Sequence, residues 1–166
     1  MVDFRRAKWD HRFLKLAEHI AQWSKDPSTK VGAVLVKDNL VVGLGYNGFP
    51  RGVADTEERY ENRDTKYKLV VHAEVNAILM AGEKAKGATL FVWPSFMLPP
   101  ICTECCKVAI QSGVAEIVGY KVDETELTDR QLRWKDSILV SRAMCEEAGI
   151  RMRGVYHSEL YGGRNE

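Results

Sequence analysis

The sequence predicts an α/β fold built on one mixed sheet of about five strands with helices on both faces. Two observations lead to this prediction. Helical and strand patterns alternate along the chain, which is the order that places helices over a partly parallel sheet. The predicted strands are nearly continuous apolar runs, as expected where a sheet is covered on both faces. The 166 residues suit a single domain, with a core at 9–156 and a C-terminal tail at 157–166, of which we expect 161–166 to be disordered.

The elements follow in order along the chain. Apolar residues at helical spacing predict a first helix over residues 9–23, which ends before Pro27. Two apolar runs at 31–36 and 40–45, joined by a short polar turn, predict a β-hairpin. The charged segment 53–68 is expected to be an exposed loop with a short helix at 55–61. The remaining predicted elements are helices at 72–80, 103–112 and 128–148 and strands at 88–93, 115–120 and 150–156.

Composition narrows the classes of protein that this chain can represent. A net charge of +1 gives no overall attraction to nucleic acid or to an anionic membrane surface. The N-terminal residues lack the apolar stretch of a secretory signal, and no apolar run approaches the length of a membrane span. The chain has four cysteines, and three of them fall in one short stretch, which favours a metal site in a reducing compartment over a disulfide framework. We therefore expect a cytoplasmic protein.

Two separated motifs predict a zinc site. Cys102 and Cys105 have the two-residue spacing that lets both thiolates reach one metal ion at the start of a helix. His72 precedes another helical pattern and offers a nitrogen ligand. The spacing by itself also fits a redox pair or a structural zinc site, which Cys145 could complete with the other cysteines. We interpret Cys106 as a small buried residue, because the ligand spacing is already satisfied without it.

Glu74 follows His72 by two residues, which is too close for a ligand one helical turn away. A carboxylate at that distance suits proton transfer to and from a metal-activated water. Together, His72-Ala73-Glu74 and the two cysteines match the signature of zinc-dependent deaminases, in which a glutamate that does not bind zinc is the acid and base. One local difference is Ile101, which separates Pro100 from Cys102 where the signature has proline directly before the first cysteine.

Two segments and one tyrosine are candidates for contacts with a nucleotide. The loop 24–30 offers hydroxyl and ammonium groups to a phosphate. In the segment 46–52, a glycine permits close backbone approach, Asn47 can bond a sugar hydroxyl, and Arg51 can pair with phosphate. Tyr120 ends a predicted strand, at the edge where open α/β sheets tend to bind ligands.

Over residues 9–156 the chain resembles the deoxycytidylate (dCMP) deaminase family, through the segments 24–33, 45–52, 72–79 and 110–114. The resemblance implies the three-layer α/β/α sandwich of cytidine deaminases and conversion of dCMP and water to dUMP and ammonia. It also implies a hexamer that dCTP with Mg²⁺ activates and dTTP inhibits. The implied residues are the Zn²⁺ ligands His72, Cys102 and Cys105; the proton shuttle Glu74; the substrate contacts Ser24, Lys25, Asn47, Ala73 and Tyr120; and an effector loop with Asn47, Gly48, Phe49 and Arg51.

Other functions fit the same residues. A deaminase of this fold could act on free cytidine, dCTP or 5-substituted dCMP, or on tRNA, although the near-neutral charge disfavours tRNA. A catalytically silent module that binds zinc and nucleotide belongs to a different class. Turnover of dCMP, measured beside deoxycytidine and dCTP, separates these alternatives.

Overall fold

A computed structural model describes residues 4–156 and contains one mixed sheet of five strands. The strands run in the spatial order β2-β1-β3-β4-β5. β1 is antiparallel to both β2 and β3, whereas β3, β4 and β5 are parallel to one another. The mixed sheet predicted from the sequence is confirmed. The C-terminal tail at 157–166, including the disorder expected at 161–166, lies outside the described residues. The strands are β1 (Gly32–Lys37), β2 (Leu40–Tyr46), β3 (Thr89–Trp93), β4 (Glu116–Lys121) and β5 (Arg151–Tyr156).

The helices differ from the predicted ones in three places. The first helix covers Phe4–Ala21 instead of 9–23. Residues 63–69 form a helix where an exposed loop was expected, and the predicted helix 128–148 is interrupted at residues 133 and 134. The α-helices are α1 (Phe4–Ala21), α2 (Glu57–Glu61), α3 (Arg63–Leu69), α4 (Ala73–Ala81), α5 (Thr103–Gln111), α6 (Asp129–Leu132) and α7 (Lys135–Ala148). Short 3₁₀ turns follow at Gly82–Ala85 and Glu124–Glu126.

A side-chain cap accounts for one of these differences, and a second cap marks the start of α6. The Asn62 carboxamide accepts a hydrogen bond from the Thr65 backbone N–H and so starts α3 inside the charged segment. Thr128 and Gln131 form a reciprocal capping box that starts α6. A new helix then begins at Lys135, with Trp134 as its N-cap residue.

The two faces of the sheet carry separate apolar clusters, because successive residues of a strand point to opposite sides. Val34, Phe91 and Val118 face α1 together with Tyr120. Ala33, Leu35, Leu90, Val92 and Ile117 belong to the cluster that includes residues of α4, α5 and α7. The molecule therefore has three layers, as the sequence resemblance implied.

β2 approaches α4 closely through two glycines. A Cβ atom at Gly45 would lie 2.5 Å from the Ala73 carbonyl oxygen and 2.5 Å from the Ala77 nitrogen. At Gly43 it would lie 2.4 Å from the Ala77 carbonyl oxygen. Only glycine leaves room for this contact, so these two positions set the distance between the sheet and the start of α4.

A buried carboxylate ties α1 to the parallel half of the sheet. Glu116 on β4 is 3% exposed and accepts hydrogen bonds from Arg6 (2.8 Å) and Arg153 (3.2 Å). Arg153 also bonds Asp10 of α1. Burial by itself would raise the pKa of Glu116, but the hydrogen bonds and charges of Arg153 and Arg6 lower that pKa below its usual value. Within residues 4–156, no helix is long and apolar enough to cross a membrane.

Candidate active site

Two helix starts bring the three predicted metal ligands together. His72 is the N-cap residue of α4, and Cys102 is the N-cap residue of α5. Cys105 lies one turn into α5. The His72 Nδ1 atom is 3.4 Å from the Cys102 Sγ and 3.3 Å from the Cys105 Sγ. All three donor atoms lie within 4.8 Å of one another.

The donor set fits a zinc ion. Tetrahedral coordination with ordinary Zn–N and Zn–S bond lengths separates a nitrogen from a sulfur ligand by about 3.6 Å. The two nitrogen–sulfur distances are only a few tenths of an ångström shorter. One histidine with two cysteines is a ligand combination of catalytic zinc sites, in which the fourth position is left for water or substrate.

Hydrogen bonds inside the cluster set the charges of these groups. Hydrogen bonds from the Cys105 thiol and from His72 lower the pKa of Cys102 to about 4, against the effect of burial. The same contact with Cys102 raises the pKa of His72 to about 9, although burial would lower it. The thiol proton that Cys105 shares with Cys102, together with burial, raises the pKa of Cys105. These shifts favour the thiolate form of Cys102, and zinc binding requires the neutral imidazole of His72 and the thiolate of Cys105.

Glu74 lies in the first turn of α4 and is 5% exposed. Burial raises the pKa of its carboxyl group above the ordinary value. A raised pKa makes a carboxyl group a stronger base, which favours the uptake and return of a proton during catalysis. Glu74 lines the same cavity as His72 and Cys102. The site thus combines a metal-binding cluster with a buried acid or base.

The cavity above the cluster has a volume of about 600 Å³ and includes Asn47 and Ala73 among its lining residues. The Asn47 Oδ1 atom accepts a hydrogen bond from the Val31 N–H (2.8 Å), and its Nδ2 atom donates to the Thr29 carbonyl (2.9 Å). Asn47 therefore fixes the loop that precedes β1 and also borders the cavity. Its predicted sugar contact is compatible with this position.

The structure does not bring the other predicted phosphate ligands to this cavity. Ser24 is buried, and its hydroxyl donates to the Asn47 carbonyl (2.8 Å). Lys25 is exposed and pairs with Asp55 at 2.7 Å. The Tyr120 side chain lies on the α1 face of the sheet, with its hydroxyl 2.9 Å from His11 Nδ1. These three side chains do not line the cavity.

The predicted effector loop also lies outside the cavity lining, apart from Asn47. Gly48 forms a β-bridge with Val71, directly before His72. The Phe49 ring stacks on Tyr60, with ring centroids 4.2 Å apart. Arg51 is exposed in the turn that follows. The loop packs against the segment that leads into α4, so it is connected to the metal cluster through the backbone.

Ile101, Cys106 and Cys145 are the residues near the ligand cysteines whose roles the sequence left open. Ile101 is 2% exposed and packs in the core while Cys102 keeps its N-cap position, so the additional residue does not displace the ligand. Cys106 is buried, as predicted, and its Sγ lies 3.6 Å from the Cys145 Sγ. Cys145 therefore pairs with Cys106 and does not join the three-residue metal cluster.

Sequence reasoning missed much of the cavity wall, including three residues with large polar or aromatic side chains. Lys66 of α3 is 8% exposed and pairs with Asp26, although its segment was predicted to be a solvated surface. Arg130 of α6 and Trp134 also line the cavity. The Thr128–Gln131 capping pattern is visible in the sequence and indicates where α6 begins, but it does not indicate the break after residue 132. No local pattern indicates that Lys66 is buried, because that depends on packing against the distant loop at 24–30.

Comparisons with known proteins agree on one family. Residues 7–121 match the family model of the cytidine and deoxycytidylate deaminase zinc-binding region. The chain is 42% identical over 138 residues to deoxycytidylate deaminase of Mus musculus, covering 77% of this chain and 75% of the relative. It is 40% identical over 148 residues to an uncharacterized deaminase of Aliivibrio fischeri, covering 88% and 92% of the two chains.

A solved structure shares the fold. The dCMP deaminase of cyanophage S-TIM5 in complex with dCMP and dUMP superposes with a TM-score of 0.65 at 24% identity. The match covers 89% of this chain and 97% of the phage chain. This likeness confirms the cytidine deaminase-like fold that the resemblance implied.

Proposed function

Because this chain belongs to the cytidine and deoxycytidylate deaminase family, we propose that it hydrolyses dCMP to dUMP and ammonia. The observation that carries the proposal is the His72–Cys102–Cys105 cluster with Glu74 buried beside it. Several similar proteins are named deoxycytidylate deaminases, including those of Mus musculus and of Homo sapiens, which is 41% identical over 118 residues. Their shared name favours a nucleoside monophosphate as the substrate over a free base or nucleoside.

Each residue of the site has a role in this reaction. His72, Cys102 and Cys105 hold zinc, which supplies, when bound, a water molecule with a pKa lowered toward neutrality. Glu74 accepts a proton from the attacking water and delivers it to N3 of the cytosine ring. The oxygen bonds to C4, and a second proton transfer through Glu74 lets the C4 amine leave as ammonia. Ala73 and Asn47 border the space in which the nucleoside binds.

The Glu74→Gln variant tests this mechanism. The amide keeps the size of the side chain but cannot transfer the proton, so we expect kcat for dCMP to fall by roughly 10²–10⁴-fold. Zinc content, measured by atomic emission, should equal that of the wild type because Glu74 is not a ligand. Glu83→Gln, an exposed change on the turn after α4, is the matched control and should keep the wild-type kcat. A Glu74→Gln enzyme with wild-type kcat would contradict the assignment.

The substrate is identified by comparing wild-type turnover of dCMP, deoxycytidine and dCTP under ultraviolet detection. A preference for dCMP supports the proposal. Equal turnover of deoxycytidine would indicate a nucleoside deaminase, and turnover of dCTP or a 5-substituted dCMP would indicate a broader enzyme. A zinc-loaded protein that deaminates none of them, and no tRNA, would be the silent binding module.

The family resemblance also supports a proposal about regulation. We expect dCTP with Mg²⁺ to activate the enzyme, dTTP to inhibit it, and the active form to be a hexamer in the cytoplasm. Activity assays with each nucleotide, together with light scattering to measure molecular mass, test these expectations. An unchanged rate at saturating dCTP would contradict the regulatory part and leave the deaminase proposal intact.

A further inference from the structure

The metal cavity opens into an outer groove, and the two spaces meet at a shared set of residues. This meeting point, here called the junction, is formed by Ser28, Thr29, Lys66, Tyr67, Arg130 and Trp134, which line both spaces. The junction lies where the loop before β1 meets α3 and α6. A ligand that extends from the metal cluster toward the outer groove must pass it.

The outer groove is strongly basic. Its lining includes four cationic side chains, Arg63, Lys66, Arg130 and Arg133, and one carboxylate, Glu61. The chain as a whole carries a net charge of only +1, so this excess of positive charge is local. A concave surface lined mostly by one sign of charge concentrates the field and attracts ligands of the opposite charge. The groove therefore favours an anion.

Lys66 brings a buried ammonium group to the junction. Its side chain is 10% exposed, and its Nζ atom lies 3.2 Å from the Asp26 Oδ1. The same Oδ1 atom accepts hydrogen bonds from the Ser28 N–H (2.8 Å) and the Thr29 N–H (3.2 Å). An ammonium has three N–H donors, and Asp26 takes one of them. The Asp26 carboxylate is shared among three donors, so it neutralises the Lys66 ammonium only in part. The ammonium is therefore well suited to bind an anionic ligand as well.

Arg130 contacts the same loop that carries Asp26, the partner of Lys66. Its Nη2 atom donates to the Ser28 carbonyl (2.9 Å) and contacts the Thr29 hydroxyl. These bonds fix the guanidinium at the junction, although α6 itself is exposed. The planar guanidinium has five N–H donors in a fork that matches the oxygen atoms of a phosphate. The loop contacts therefore orient Arg130 and leave donors for a ligand.

We infer that Lys66 and Arg130 bind the 5′-phosphate of the substrate nucleotide and thereby select nucleotides over nucleosides. This inference rests on the proposed deaminase function. It assigns the phosphate to residues that line the metal cavity, whereas the predicted phosphate contacts Ser24, Lys25 and Tyr120 do not line it. The pyrimidine lies at the metal cluster and the phosphate lies at the junction, where the surrounding charge is positive.

The test compares two substrates that differ only in the phosphate. We expect Arg130→Gln and Lys66→Gln each to raise KM for dCMP by about tenfold to a hundredfold, the usual loss for one charge-assisted hydrogen bond. The kcat/KM for deoxycytidine should not change. Arg130→Lys should recover part of the affinity, because it restores the charge without the fork. Arg59→Gln is the matched control, since Arg59 also donates to a backbone carbonyl, that of Ala54, but lies outside both spaces.

A binding measurement separates this inference from the proposed function. Calorimetric titration with dUMP and with deoxyuridine requires no turnover, and dUMP should lose affinity in both variants while deoxyuridine should not. Wild-type KM values for dCMP in both variants would overturn the inference and leave the deaminase proposal standing. An equal loss for dCMP and deoxycytidine would indicate a structural role and would also overturn it. If Lys66→Gln fails to fold, the exposed Arg130 decides the outcome.

An inactive wild type would overturn the proposed function. The titrations would still test the junction in that case. Wild-type binding of dUMP no tighter than that of deoxyuridine would then overturn the inference as well.

Discussion

The distance between β2 and α4 gives the sharpest prediction of this structure. In Gly45→Ala, the added methyl group would lie 2.5 Å from the Ala73 carbonyl oxygen, whereas ordinary contact begins near 3.4 Å. The Ala77 nitrogen would also lie 2.5 Å from the methyl group. Both atoms belong to the backbone of α4 and cannot rotate away. The first turn of α4 must therefore move by about 0.9 Å, since the core is close-packed. That turn carries Glu74 and follows His72 directly.

This displacement predicts a loss of stability and a loss of catalytic rate. Overpacking a core by one methyl group costs roughly 1–3 kcal/mol in the free energy of unfolding. A misplacement of catalytic groups by about 1 Å lowers the rate by about a hundredfold. We therefore expect Gly45→Ala to fold with reduced stability and to lose most of its kcat for dCMP.

Gly43→Ala is the matched control for this prediction. Its methyl group would lie 2.4 Å from the Ala77 carbonyl oxygen, an equal clash one turn further along the same helix. Urea denaturation, zinc content and steady-state kinetics of both variants provide the comparison. Similar losses of stability, with the larger loss of kcat in Gly45→Ala, would support the local argument. Equal losses of kcat at equal stability would refute it.

Two further predictions concern stability and metal binding. Glu116→Gln should lower the free energy of unfolding by roughly 2–4 kcal/mol at pH 7, because it uncouples a buried carboxylate from partly exposed arginines. The folded-state pKa of Glu116 is lowered, so its contribution is present above the unfolded pKa and disappears as the pH falls through the folded pKa. Urea titrations should therefore show the gap between the two proteins narrowing below about pH 4.5, and a constant gap would contradict this. Cys145→Ala should keep the zinc content of the wild type, whereas Cys105→Ala should lose bound zinc; loss of zinc from Cys145→Ala would contradict the three-residue cluster.

The metal cluster was accessible to sequence reasoning because its signals are local. A C-x-x-C spacing and a histidine followed by glutamate, each before an apolar helical pattern, restrict the geometry within one turn of helix. The mixed sheet was accessible for a similar reason. The nearly continuous apolar runs indicate how many strands there are and that helices cover both faces of the sheet. Both predictions depend only on residues that lie close together in the sequence.

The phosphate end was not accessible in the same way. Tyr120 lies one residue before the end of β4, but the side on which it points depends on which face of the sheet receives α1. The sequence predicts a surface lysine at position 66, but the loop at 24–30 packs over it and Asp26 pairs with it. Arg130 is held at the junction by contacts with Ser28 and Thr29, which lie about a hundred residues away in the sequence. Each position is decided by contacts between segments that are far apart in the sequence.

The hydrogen bonds around the loop before β1 have a consequence for the thermodynamics of recognition. Asn47 holds this loop at the Thr29 carbonyl and the Val31 N–H, while Asp26 holds its backbone from within. The conformational entropy of the loop is thus lost when the chain folds and not when a ligand arrives. A small molecule with few contacts can then bind tightly, because little of its interaction energy is consumed in ordering the protein.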